Sequence, residues 1–127
     1  MMFTRSINTS TIFTEGLIMS WDIGIELNGF EFKNTDWNYT HNCNQMMRDA
    51  GYDWIYNLDK EKVKDTIPHF EKMLENLKAE PEKYRSMNPS NNWGDYDSLV
   101  ALFETEIIPT AKKISDAIPD CTWWESS

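Results

Sequence analysis

The chain has 127 residues, 40% of them apolar and 13% aromatic, enough for one domain with a core that folds without staples. With 21 acidic residues against 12 basic ones the net charge is −9, which argues against binding a nucleic-acid backbone, since that needs clustered cations. No apolar run approaches the ~18 residues that cross a bilayer, so no membrane partner is expected. Cys43 and Cys121 lie far apart with no pairing signature and point to a reducing, intracellular compartment. A disulfide between them stays open.

Residues 1–18 are rich in Thr, Ser and Asn, with Arg5 their only basic residue and no continuous apolar stretch. They read as a flexible leader rather than a signal peptide, and Met19 as an alternative start. Residues 19–127 then form a single α+β domain. Trp21, Ile23, Ile25 and Leu27 alternate with other residues and predict a half-buried strand. Asn28-Gly29 is a strong hairpin signal, and residues 30–33 return as a second strand with Phe30 and Phe32 inward. Residues 37–39 continue in extended form.

A short helix follows over residues 43–50, with Asn42 as N-cap, Gln45 completing a capping box and Gly51 closing it. A longer helix, capped by Asp59, carries Val63, Ile67, Phe70, Leu74 and Leu77 on one face. Pro68 inside it predicts a kink or two abutting helices, and Glu80-Pro81 ends it. Asp95 caps a last helix whose stripe is Leu99, Phe103, Ile107, Ala111, Ile114 and Ile118, bent at Pro109 and stopped by Pro119. The tail, with Trp123 and Trp124, is apolar enough to add an edge strand or pack on the core. The fold class is thus α+β: an antiparallel hairpin, with room for a third strand, packed on two long helices and one short one.

Two polar-aromatic stretches stand apart. Residues 37–44 put Trp37, Tyr39, His41, a hydroxyl, a thiol and three amides into eight positions. Residues 88–95 hold Asn88, Asn91, Asn92, Trp93, Gly94 and Asp95. Aromatic faces stack on planar rings, and amides read donor–acceptor edges. The expected ligand contacts are Trp37, Tyr39, Thr40, His41, Asn42, Tyr84, Arg85, Asn88, Asn92, Trp93 and Asp95, with Arg85 the nearest cation. The competing reading makes Tyr39 and Trp93 core aromatics and the asparagines turn-formers.

Other chemistries are weaker. There is no phosphate-cradling glycine loop, the chain having five glycines in all. His41 and Cys43 are awkwardly spaced for one tetrahedral metal ion and lack a second pair, so no metal site and no cofactor is expected. Nucleophilic chemistry at Cys43 would need its thiol pKa lowered by a helix N-terminus and His41. His41 is the one candidate catalytic residue, as a general base. His69 reads as a surface residue of the long helix.

The Tyr-Thr-His-Asn stretch after the hairpin, paired with the Asn-Pro-Ser-Asn-Asn-Trp-Gly-Asp-Tyr loop before the last helix, resembles a family of small bacteriophage and prophage proteins. The likeness covers residues 21–118. It implies a protein of host takeover or defence evasion in the host cytoplasm, and carries over no catalytic assignment. Three functions follow as expectations. The first is a non-enzymatic binder that sequesters a small, nucleotide-derived defence signal. The second is an acidic inhibitor of a basic host protein, which the charge of −9 motivates. The third is a small hydrolase using His41. Assembly into a homo-oligomer stays open.

Overall fold

The computed structural model describes residues 20–52 and 55–127, and the expected leader lies outside them. Strand β1 (Ser20–Leu27) is the common partner of β2 (Phe30–Glu31), β3 (Trp37–Thr40) and β4 (Thr122–Ser126), all antiparallel. Asp22 and Ile23 pair with both β3 and β4, and Glu26 pairs with both β2 and β4. A strand has two edges, so β2 and β3 must lie end to end along the edge opposite β4. Thr35 spans the break between them. Its buried hydroxyl accepts from the Ile25 N–H (3.1 Å) and donates to the Phe32 carbonyl (2.8 Å), replacing a ladder bond that would otherwise be lost.

Trp21, Ile23 and Ile25 are wholly buried, as their alternation predicts, but the opposite face is covered as well. Trp124 lies across Gly24, so β1 is a central strand rather than a half-exposed one. The tail is not an edge either. On the far side of β4, Trp123 exchanges backbone hydrogen bonds with Glu61 (2.9 Å) and Lys60 (2.8 Å). Phe30, expected inward, is 78% exposed at the hairpin tip, because β2 is too short to carry it back over the core. Phe32 packs against the core as expected.

The helices cover the Trp21–Ile25 face. Helix α1 (Asn44–Asp49) follows a 3-10 turn (His41–Cys43) capped by Thr40, whose side chain accepts from the Asn42 N–H. The expected Asn42 cap is therefore displaced two residues upstream. Gly51 closes α1 as expected, with Gly51 N–H to Arg48 and Tyr52 N–H to Met47. Helix α2 (Val63–Ala79) runs through Pro68 without splitting, and Asp59 does not cap it. The Asp59 carboxylate instead accepts from the Glu125 backbone N–H (2.9 Å). Pro81 ends α2 as expected and opens a further short helix, α3 (Pro81–Arg85).

The last helix is three pieces: α4 (Tyr96–Leu102), a π turn (Phe103–Ile107) and α5 (Ile108–Ala117). Pro109 has no N–H to give an acceptor in the preceding turn, and the wider π turn absorbs the mismatch. The extra residue also shifts the stripe, so Ile107 and Ile108 are both buried. Trp123 meets Phe70 edge-on at 5.7 Å, and its indole N–H donates to Thr66 (2.8 Å). None of the described helices is long and apolar enough to cross a membrane.

The tight seat of Gly24 gives a direct test. A Cβ there would meet the indole of Trp124 and come within 2.6 Å of the Thr35 carbonyl, which is backbone and cannot swing aside. Gly24→Ala should lower stability by about 1–3 kcal/mol, the usual penalty for overpacking. Urea denaturation checks it, and a loss below a few tenths of a kcal/mol would mean that Trp124 does not lie there.

Candidate functional site

The two polar-aromatic stretches, far apart in sequence, meet around one hydroxyl. Tyr39 lies next to last in β3, and its phenol reaches the start of α4. It accepts from the Asp95 N–H (3.2 Å) and lies 2.7 Å from the Ser98 hydroxyl and 3.2 Å from the Asp95 carbonyl. Asp95 and Ser98 are themselves a capping box, with the Ser98 N–H donating to the Asp95 carboxylate at 2.7 Å. Burial pushes the Tyr39 phenol up to about 12, so it stays neutral and keeps its proton for these partners. Ser98 was not foreseen as part of this cluster, although Asp95 followed three residues later by a hydroxyl is a recognisable cap pattern.

Gly94 sits directly under this contact, at φ +83°. A Cβ there would crowd the Thr40 methyl at 2.5 Å and the Tyr39 hydroxyl at 3.1 Å. Both the left-handed backbone and the close approach demand glycine. The flanking amides are shared out between the stretches. Asn91 Oδ1 accepts from the Trp93 N–H (3.0 Å) and from the Asn42 amide (3.5 Å), while Asn88 Oδ1 accepts from the Tyr96 N–H (2.8 Å).

The expected ligand contacts therefore divide. Trp37 is a core residue, 7% exposed with its ring 6.3 Å from that of Trp123, and presents no face to a ligand. Tyr84 is likewise buried. It stacks on Tyr96 at 6.5 Å and donates to Asp49 (2.9 Å), which Lys83 also pairs (2.8 Å). Both were legible as aromatic but not as interior, because their burial comes from β4 and α4, distant in sequence. Arg85 holds Asp97 through two nitrogens (3.2 and 3.0 Å) and lies over the Tyr96 ring. Tyr39 spends its hydroxyl on the Asp95 backbone and the Ser98 hydroxyl, Asp95 its carboxylate on the Ser98 N–H, and Thr40 its hydroxyl on the 3-10 turn.

His41, Asn42, Asn88, Asn92 and Trp93 remain at or near the surface. Trp93 is 54% exposed, an unusual position for an indole. Asn92 holds a left-handed φ of +64°, which turns the loop outward just before it. Partial burial holds the His41 imidazole below its ordinary pKa, so it is neutral at pH 7. Cys43 is buried and its thiol is pushed up by burial, the reverse of what a nucleophile requires. Cys43 and Cys121 are both free thiols. Among the described residues no group of three His, Cys, Asp or Glu side chains could hold a metal ion.

A depression of about 320 Å³ lies elsewhere, lined by Asn57, Glu61, Asp65, Thr66 and His69. The Tyr96 hydroxyl bonds the Leu77 carbonyl, which puts the start of α4 against the far end of α2. At 1.5 Å per residue, Thr66 and Leu77 are ~16 Å apart along that helix. The depression and the Trp93 surface are separate. No family model, curated protein or solved structure matches this chain.

The Tyr39 contact can be weighed by removing one atom. Tyr39→Phe leaves the ring in place and removes the phenol's bonds to the Asp95 N–H and the Ser98 hydroxyl, which keep only their longer contacts within the capping box (3.4 and 3.2 Å), so stability should fall by about 1 kcal/mol. Denaturant melts measure it. An unchanged midpoint would show that β3 and α4 are held together by packing alone.

Proposed function

We propose that this chain is a non-enzymatic binding protein that holds a small planar ligand against Trp93, with the His41 and Asn42 side chains and the loop asparagines reading its edge. The observation that carries this reading is the exposed indole of Trp93. It stands on a loop that Tyr39, Gly94 and the Asn42–Asn91 contact tie to the 37–44 stretch. A large apolar ring held out on an anchored loop, with amides beside it, suits stacking on a heterocycle. A neutral imidazole adds one more hydrogen-bonding edge.

The likeness to phage proteins directs the reading further, to a nucleotide-derived host signal that the protein sequesters. The chemistry favours recognition through the base. Arg85 is committed to Asp97, and the chain carries −9, so phosphates on such a ligand stay in water. Removing Trp93 separates this role from a structural one. Trp93→Ala should weaken binding by roughly ten- to a hundredfold, the effect of ~1–3 kcal/mol of base stacking, and leave the melting temperature nearly unchanged. Binding is read by native mass spectrometry against a panel of nucleosides and cyclic dinucleotides. A collapse of the melting temperature would make the loop a piece of scaffold and defeat the proposal.

His41→Gln distinguishes binding from hydrolysis. Glutamine imitates one imidazole nitrogen, so most of the affinity should remain. An amide cannot take up a proton at neutral pH, so any turnover that vanished in this variant would show a base catalyst instead.

A further inference from the structure

We propose that Glu125 is a proton-operated latch that docks the end of strand β4 when neutral and loosens it when ionised. The register sets the problem. Glu125 pairs with Ile23, and Ile23 pairs in turn with Trp37, so the three side chains stand on one face of the sheet. That face is the core face, since Ile23 is wholly buried, Trp37 is 7% exposed and Trp123, two residues before Glu125, is wholly buried. A carboxyl group is thus aimed at apolar surroundings from the last residues of the chain.

Its surroundings supply little to stabilise a charge. Glu125 Oε2 is buried with no hydrogen-bond partner among the described residues. Ser127 donates the one hydrogen bond that favours the ionised form. The charged groups close enough to act on it are both acidic: Asp59, from the segment before α2, and, more weakly, Asp22 of β1, whose side chain leaves the other face of the sheet. Asp59 also accepts the Glu125 backbone N–H at 2.9 Å, so the repelling carboxylate is fixed to the same residue. Asp22 is partly satisfied by the Asn38 amide (2.9 Å). The nearby ammonium of Lys60 is turned to Glu26 (3.0 Å) and does not answer Glu125. Desolvation and these two like charges raise the carboxyl to about 7.

The sign is opposite to that of an ordinary surface carboxylate. The folded form prefers the proton, so this group's contribution is complete below its unfolded value of 4.5 and is lost as pH rises through about 7. Ionisation leaves a charge facing Ile23 and Trp37 with a buried, unsatisfied oxygen. The strand end can relieve this by turning outward, which breaks the Glu125–Asp59 backbone contact while Trp123, bonded to Glu61 and Lys60, keeps the rest of β4 in place.

Carbon-13 NMR of the Glu125 carboxyl in the full chain reads the proton directly. A midpoint near 7 is expected, moving down in Asp59→Asn, which keeps the backbone acceptor and removes the charge. The protection factor of the Glu125 amide should fall several-fold between about pH 6 and pH 8 in the wild type and stay level in Glu125→Gln. A midpoint near 4.5 would overturn the proposal. So would the same fall in protection in Glu125→Gln. The wild-type titration stands even if the glutamine variant fails to fold.

Discussion

The structure of the candidate site depends on one phenol seated in one helix cap. A helix start leaves N–H groups without intrahelical partners, and α4 answers them with the reciprocal Asp95–Ser98 pair. Tyr39 adds a third member from a different element, so the end of β3 and the beginning of α4 cannot separate without losing the phenol's hydrogen bonds to that cap. The consequences are local and specific. Gly94 must be glycine because Thr40 and Tyr39 press on it, and the loop it belongs to can then leave the core with its indole outward. The polar richness of residues 37–44 thus serves two ends: Tyr39 and Thr40 build the joint, and Asn42 reaches Asn91 on the loop that the joint displays.

That joint rests on a sheet built to be rigid at its centre. β1 has neighbours along both edges, helices on one face and Trp124 on the other. Aromatic rings do much of the filling, with Phe70 in contact with Tyr52, Phe103 and Trp123 at centroid distances of 4.7 to 5.7 Å. Offset and edge-on pairs of this kind add to area burial and fix orientation. The weak places are at the ends. The hairpin tip exposes Phe30, and the last residues of β4 carry an inward carboxyl.

Much of this architecture was legible because its cause is local. Alternation marks β1, Asn28 and Gly29 with positive φ make the turn, and three- and four-residue spacing marks the helical stripes. The failures have a common origin in distant contacts. Nothing near Trp37 or Tyr84 in sequence announces that β4 and α4 will bury them. Asn42 looked like a cap, but Thr40, at the end of a strand whose position is set by β1, caps a 3-10 turn that starts earlier and takes up the Asn42 N–H itself. Asp59 looked like a helix cap and serves a strand instead. At Pro109 the local rule predicted a bend, and a π turn gave the helix a different way to keep its stripe buried. The surface character of Trp93 was legible, since a loop of asparagines with a proline and a glycine has few apolar partners to offer it.

The functional reading stands or falls on whether that indole meets a ligand. The direct measurement is a nitrogen-15 NMR titration of the full chain with mononucleotides, following the indole N–H signals of its six tryptophans. A base stacked at the joined stretches should move the Trp93 indole together with the Asn42 and Asn91 side-chain amides. The buried indoles of Trp21, Trp37 and Trp123 should hold still. Shifts confined to the α2 depression, or none at any concentration that keeps the protein folded, would contradict the account.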